Sequence, residues 1–235
     1  FEAIVIPVLF FPSTILCALS GILITEAARA TAANNQAHLQ RLTKAVIQKT
    51  LQLSIFIAAG LLLYGNLIGT LLDGGALAGH LIRLLAPVVP FIYLEIVLEA
   101  LLKGMGQQSF SSLNYLAEYT IRIAIVLVCI PKFGFYGIVL SYYASNVCGN
   151  CFRLWKTCKT ARIRFSFWSD VGFTLFAAAL AFQVPLCGLR LLHGMQFAWI
   201  CLLPAILIDY ALLKSYGKIT AIPLLSKKQR ACSSA

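Results

Sequence analysis

Seven stretches of this chain are mainly apolar and close to membrane-crossing length: roughly residues 3–24, 50–72, 84–102, 114–130, 135–152, 171–189 and 196–214. A membrane helix needs about 20 such residues, and only a helix or a closed barrel satisfies its own backbone in lipid. Runs this long and this apolar match helices rather than barrel strands. The chain is 60% hydrophobic and 11% charged, against about 25% charged in a soluble domain. The expected fold is all-α, a polytopic transmembrane bundle of about seven helices.

Basic residues orient the bundle. If residue 1 lies outside, the inside connections carry Arg29, Arg41, Lys44 and Lys49, then Lys103, then the cluster from Arg153 to Arg164, then Lys214 to Arg230. The outside connections carry only Arg83, Lys132 and Arg190. The positive-inside rule therefore predicts an outside N-terminus and a cytoplasmic C-terminus. The net charge of +11 is explained by cytoplasmic loops facing anionic lipid, so nucleic acid is not an expected partner. The basic loop 153–170 interleaves Trp155, Phe165, Phe167 and Trp168, as aromatic side chains do at headgroup level.

Between the first two runs, residues 25–47 are too polar to span. Their Ala, Gln, Leu, Arg and Lys content favours helix. The expectation is a cytoplasmic connecting helix, 26–47, lying at the interface. In the first run Pro7 and Pro12 interrupt the helix, and Ser13, Cys17, Ser20 and Gly21 share one face. Close helix packing or a polar cavity lining explains such a stripe, packing the more economically. In the fifth run Tyr142, Asn146 and Asn150 recur at i, i+4 and i+8, beside Ser141 and Ser145. That stripe faces either a wet cavity or hydrogen-bonding neighbours.

The most informative stretch is 83–122. Pro87 and Pro90 open the third run as helix breaks that free backbone carbonyls. Glu95 and Glu99 follow one turn apart. After a short Gly/Gln/Ser hairpin the fourth run carries Glu118 and Arg122, again one turn apart. Ionisable groups inside membrane segments are costly and call for a structural or functional reason. At 1.5 Å per residue, Glu99 and Glu118 lie about 6 Å from the inner ends of their runs, and Glu95 and Arg122 about 12 Å. An antiparallel pairing of the two helices would put Arg122 level with Glu95, where it can pair with Glu95 across the gap or with Glu118 along its own helix. Three carboxylates against one nearby cation leave an imbalance. It is relieved by protonation, by water, or by a recruited proton or sodium ion. The plainer reading is a structural ion-pair cluster.

Other chemistries find little support. Cysteines at 17, 129, 148, 151, 158, 187, 201 and 232 are scattered, and Cys148-Gly-Asn-Cys151 is a lone CxxC without the second pair a zinc site needs. No HExxH or Cys/His cluster occurs, so no metal site and no cofactor are expected. His38, His80 and His193 read as solvated. No charged n-region precedes the first run, so it is not read as a signal peptide. The chain is expected to be a fragment, the C-terminal part of a longer protein.

Several segments together resemble a known family: Ile6-Pro-Val-Leu-Phe-Phe-Pro-Ser13 with Ala18-Leu-Ser-Gly21, Leu84-Leu-Ala-Pro-Val-Val-Pro90 with Tyr93-Leu-Glu95, Leu102-Lys-Gly-Met-Gly-Gln-Gln108, and Pro131-Lys-Phe-Gly-Phe-Tyr-Gly137. They are similar to the stage V sporulation protein B family. That family sits in the polysaccharide-transport branch of the multidrug/oligosaccharidyl-lipid/polysaccharide exporter superfamily. The resemblance runs over residues 1 to about 160.

It implies a 14-helix, two-lobed transporter of which this chain lacks the N-terminal lobe and one further helix. On that reading 1–160 is the partial C-terminal lobe, 161–214 two extra membrane helices framing a lipid-tail groove, and 215–235 a basic cytoplasmic tail. The implied function is not enzymatic. It is the flipping of a lipid-linked oligosaccharide or peptidoglycan precursor across the bacterial cytoplasmic membrane, by alternating access, for sporulation and cell-wall synthesis. Glu95, Glu99, Glu118 and Arg122 would line the cavity, with Asn146 and Asn150 beside them. Thr25-Glu-Ala departs from the family's Pro-Glu pattern, so no role is carried to Glu26. Alternatives are a cation-coupled multidrug-type antiporter of the same superfamily and a non-transporting scaffold for envelope assembly. A membrane glycosyltransferase is disfavoured because no loop carries an acidic metal-binding motif.

Overall fold

The computed structural model describes residues 4–72, 75–163 and 172. The first two stretches belong to one compact unit, Phe1–Asp170. The expected sixth and seventh helices, Asp209 and the basic tail lie outside the described residues. Seven α-helices and two 3-10 turns account for nearly all that is described, and no strand occurs among those residues. In chain order they are α1 (Val5–Phe10), α2 (Thr14–Ala32), α3 (Gln36–Leu71), α4 (Gly75–Leu85), α5 (Val89–Gly104), α6 (Gln108–Phe133) and α7 (Phe135–Ala161).

The prolines bend rods without ending them. Pro12 sits in a 3-10 turn, Phe11–Ser13, between α1 and α2. Pro87 sits in a second, Ala86–Val88, between α4 and α5, and Pro90 falls in the first turn of α5. A proline removes one helical N–H and disturbs the turn before it. Two tyrosines reach the carbonyls exposed nearby. Tyr93 Oη donates to Leu9 O at 3.1 Å and Tyr143 Oη to Leu84 O at 2.6 Å. Each tyrosine thereby stitches one rod to the weak point of another.

Four continuous rods are long and apolar enough to cross a membrane: Val5–Ala32, Gln36–Leu71, Leu77–Gly104 and Gln108–Phe133. In its apolar window the α4–α5 rod is 61% buried and α6 only 11%. The α4–α5 rod is therefore the centre of the bundle, and α6 is an outer helix. Val97, Leu98, Leu101 and Leu102 of α5 are fully buried against neighbours from α2, α3 and α7. α6 packs chiefly on α7, and α5 reaches α6 mainly by way of α7. Gly104 permits the closest approach, since a Cβ there would fall 2.7 Å from Ile24 O of α2.

Several boundaries differ from the sequence reading. No separate connecting helix occupies 26–47. α2 runs on to Ala32, a turn spans Ala33–Asn35, and α3 continues unbroken from Gln36. The helix-favouring composition was real, but two asparagines split it. Asn34 takes a left-handed φ of 50°, which Asn tolerates better than most residues. Asn35 Oδ1 then accepts from His38 N at 3.1 Å as the N-cap of α3. The fourth helix does not stop at Ile130 but passes Pro131 to Phe133. The hairpin to α7 closes on Gly134 alone, at φ 56°. The fifth helix does not end near 152, and α7 extends to Ala161. That extension turns the start of the supposed basic loop into helix.

Candidate functional site

Extending α7 changes the site. Arg153, assigned by sequence to a cytoplasmic loop, lies on the buried face of α7 with no exposed side-chain surface. Its Nη1 is 2.8 Å from Glu118 Oε2 of α6 and its Nη2 is 3.2 Å from Glu95 Oε1 of α5. Its guanidinium lies 4.5 Å from the Tyr115 ring centre, a favourable cation–π stack where water is excluded. Arg153 is thus the link between the two glutamate-bearing helices. Nε and Nη2 are buried and make no hydrogen bond of good geometry, so the guanidinium is held more by charge and stacking than by a full set of hydrogen bonds.

Arg122 takes the local one of its two expected pairings. Its Nη2 lies 3.3 Å from Glu118 Oε1, and its Nε donates to Ser145 Oγ at 3.0 Å. Tyr142 and Tyr119 flank it, with ring centres 4.7 and 5.2 Å away. Glu118 therefore receives an arginine on each carboxylate oxygen and is only 3% exposed. The direct crossing from Arg122 to Glu95 is replaced by the bridge through α7, because α7 rather than α6 packs beside α5. Glu99 pairs with Lys103 at 2.6 Å, one turn on, and accepts from the Tyr115 hydroxyl.

The expected imbalance of three carboxylates against one cation is corrected. Glu95, Glu99 and Glu118 face Lys103, Arg122 and Arg153. The argument for a recruited proton or sodium ion loses its premise. What survives is an ionic centre with unequal access. Glu118 and Arg153 are enclosed, whereas the side chains of Glu95, Glu99 and Arg122 are 17%, 15% and 22% exposed.

The polar stripe on α7 is buried, but it points inward to its own helix rather than to a cavity. Asn146 Nδ2 donates to Tyr142 O and Asn150 Nδ2 to Asn146 O, each at 2.9 Å. Asn150 Oδ1 has no hydrogen-bond partner. The contact that does cross helices comes from Asn114, which the sequence reading passed over: its Nδ2 donates to Gly149 O at 3.2 Å.

Gly149 is the other residue that reading missed. A Cβ there would fall 2.5 Å from Glu118 Oε2 and 3.0 Å from Arg153 Nη1. The flanking Cys148 and Cys151 are exposed free thiols. The meaning of Cys-Gly-Asn-Cys therefore lies in its middle pair, which makes room for the Glu118 carboxylate. No cluster of metal-ligating side chains occurs among the described residues.

The spacing could have revealed Arg153. It continues the stripe at i+7 from Asn146 and i+3 from Asn150, and only the belief that the helix had ended hid it. No protein-family model, curated protein or solved structure matches this chain.

Proposed function

We propose that this chain is the C-terminal part of a membrane flippase. Its cargo is a lipid-linked oligosaccharide or peptidoglycan precursor, moved across the bacterial cytoplasmic membrane by alternating access in sporulation and cell-wall synthesis. One observation carries the reading: three helices rich in apolar residues share an ionic centre of six side chains, with Arg153 at its hub. Burying ion pairs gains little net stability compared with apolar packing, so a purely structural bundle has small reason to retain them. Ion pairs distributed over separate helices do give a bundle alternative arrangements of similar energy, which a transporter needs.

The exposed edge formed by Glu95, Glu99 and Arg122 presents hydrogen-bond acceptors and a planar donor fork side by side. That set suits hydroxyl and phosphate groups of a glycan-lipid head. The cargo and the cellular process rest on the family resemblance alone. The three-to-three balance of charge gives the cation-coupled antiporter reading no specific support.

The test is translocation of a fluorescent lipid-linked glycan in proteoliposomes containing the full-length protein. Glu95→Gln and Glu99→Gln should each abolish translocation while membrane abundance stays unchanged. Normal translocation by both variants would end the assignment.

A further inference from the structure

A second feature lies away from the ionic centre, where α2, α3 and α5 meet. There a cavity of about 320 Å³ is lined by Leu19 and Leu23 of α2, Val46, Lys49 and Leu53 of α3, and Val97 of α5. Val97 forms a fully buried floor, while Leu19 and Leu53 stand exposed at the rim. α2 and α3 form an antiparallel pair about the Ala33–Asn35 turn. The groove therefore runs along both helix axes.

Its charge is singular. Lys49 is exposed and has no ion-pair partner among the described residues. Its position along the rods is equally specific. On the side towards the turn the helices carry Glu26, Arg29, Arg41 and Lys44. On the other side they are almost continuously apolar. Lys49 and Thr25 thus mark the level at which hydrocarbon gives way to headgroups, with most of the groove's apolar rim on the hydrocarbon side. A lysine stem lies along apolar surface while its ammonium stays at the polar boundary.

We infer that this groove seats one acyl chain of an anionic glycerophospholipid whose phosphate pairs with Lys49. Apolar walls, an unpaired cation at headgroup level and a floor sealed by α5 together match a lipid with its tail in the hydrocarbon and its charge at the edge. The site is separate from the proposed cargo pathway and rests only on the membrane-spanning character of these helices.

The experiment is native mass spectrometry of the full chain, titrated with phosphatidylglycerol and with phosphatidylcholine of the same acyl composition. Phosphatidylglycerol should bind more tightly. Lys49→Gln should weaken it about fivefold, the effect of one basic contact, and abolish the headgroup preference. Ile22→Trp, a rim substitution at an exposed position, should reduce binding of both lipids while Lys49→Gln leaves phosphatidylcholine unaffected. Equal binding of the two lipids, an unchanged Lys49→Gln variant, or no retained lipid because another segment fills the groove would each overturn the proposal.

Discussion

Arg153 Nη1 sits 2.8 Å from Glu118 Oε2, and the gap between their helices is held open by the missing side chain of Gly149. Because α5 reaches α6 mainly through α7, this pair governs how the third and fourth membrane segments relate. Its geometry carries the first prediction.

Gly149→Ala should lower stability by about 2–3 kcal/mol, since the new methyl must displace a carboxylate bound to two arginines. Cys148→Ala and Cys151→Ala, one residue to either side of the Gly-Asn pair and exposed, should stay within about 0.5 kcal/mol of the parent. Thermal unfolding of the three variants in one detergent would decide it. A large loss in both cysteine variants would instead point to a thiol function.

What the sequence disclosed and what it hid divide along physical lines. Glu95, Glu99, Glu118 and Arg122 were legible because a charge stands out against an apolar run. The Glu118–Arg122 pair was legible because i, i+4 spacing is a property of one helix. Arg153 was not, because hydropathy marks where lipid ends and not where helix ends, and α7 goes on as helix into its basic residues. The same confusion turned 26–47 into a separate element, although Asn34 and Asn35 are a visible break. Which helix packs beside α5 is a tertiary fact with no local signature, so the bridge through α7 could only be seen in three dimensions. Four of the seven expected membrane segments correspond to rods of spanning character; the fifth is the apolar part of α7, and the sixth and seventh lie outside the described residues.

The turn between α2 and α3 gives a second prediction. Asn34→Gly should be neutral or slightly stabilising, because glycine adopts φ 50° without steric cost. Asn34→Val should cost about 1–2 kcal/mol. Asn35→Ala should cost about 1 kcal/mol by removing the side-chain acceptor for His38 N. Equal effects of Gly and Val at position 34 would contradict the left-handed turn.

Cys158 gives a third prediction, in pH. It lies beyond the apolar part of α7, and burial pushes its thiol pKa above the usual value. A raised pKa keeps the neutral thiol, so less reactive thiolate exists at any given pH below it. In a chain whose other cysteines are replaced, maleimide labelling of Cys158 should be slower at pH 7.5 than labelling of a thiol introduced by Lys159→Cys at the neighbouring exposed position. Its rate should keep rising to a higher pH before levelling off. Coincident pH profiles would show that Cys158 is not shielded.

The carbonyl seats of the two tyrosines supply a fourth. Tyr143→Phe removes the donor to Leu84 O, beside the Pro87 turn, and Tyr93→Phe the donor to Leu9 O. Each should cost about 1–2 kcal/mol, the range for stripping a partner from a buried carbonyl. Hydrogen exchange should quicken locally in the turns around Pro87 and Pro12 respectively, each variant affecting its own turn. Exchange unchanged in both would remove the tyrosines from that role.

The most direct measurement of the central claim, that Arg153 and Glu118 form one buried unit joining α7 to α6, is a double-mutant cycle. Glu118→Gln and Arg153→Gln should each lower unfolding stability by about 3–5 kcal/mol, because each strands a buried partner. The double variant should lose markedly less than the sum, with a coupling of at least about 1.5 kcal/mol. Additive losses, with coupling near zero, would mean that Arg153 lies in a solvated loop as its sequence context first suggests, and that the ionic centre described here does not form.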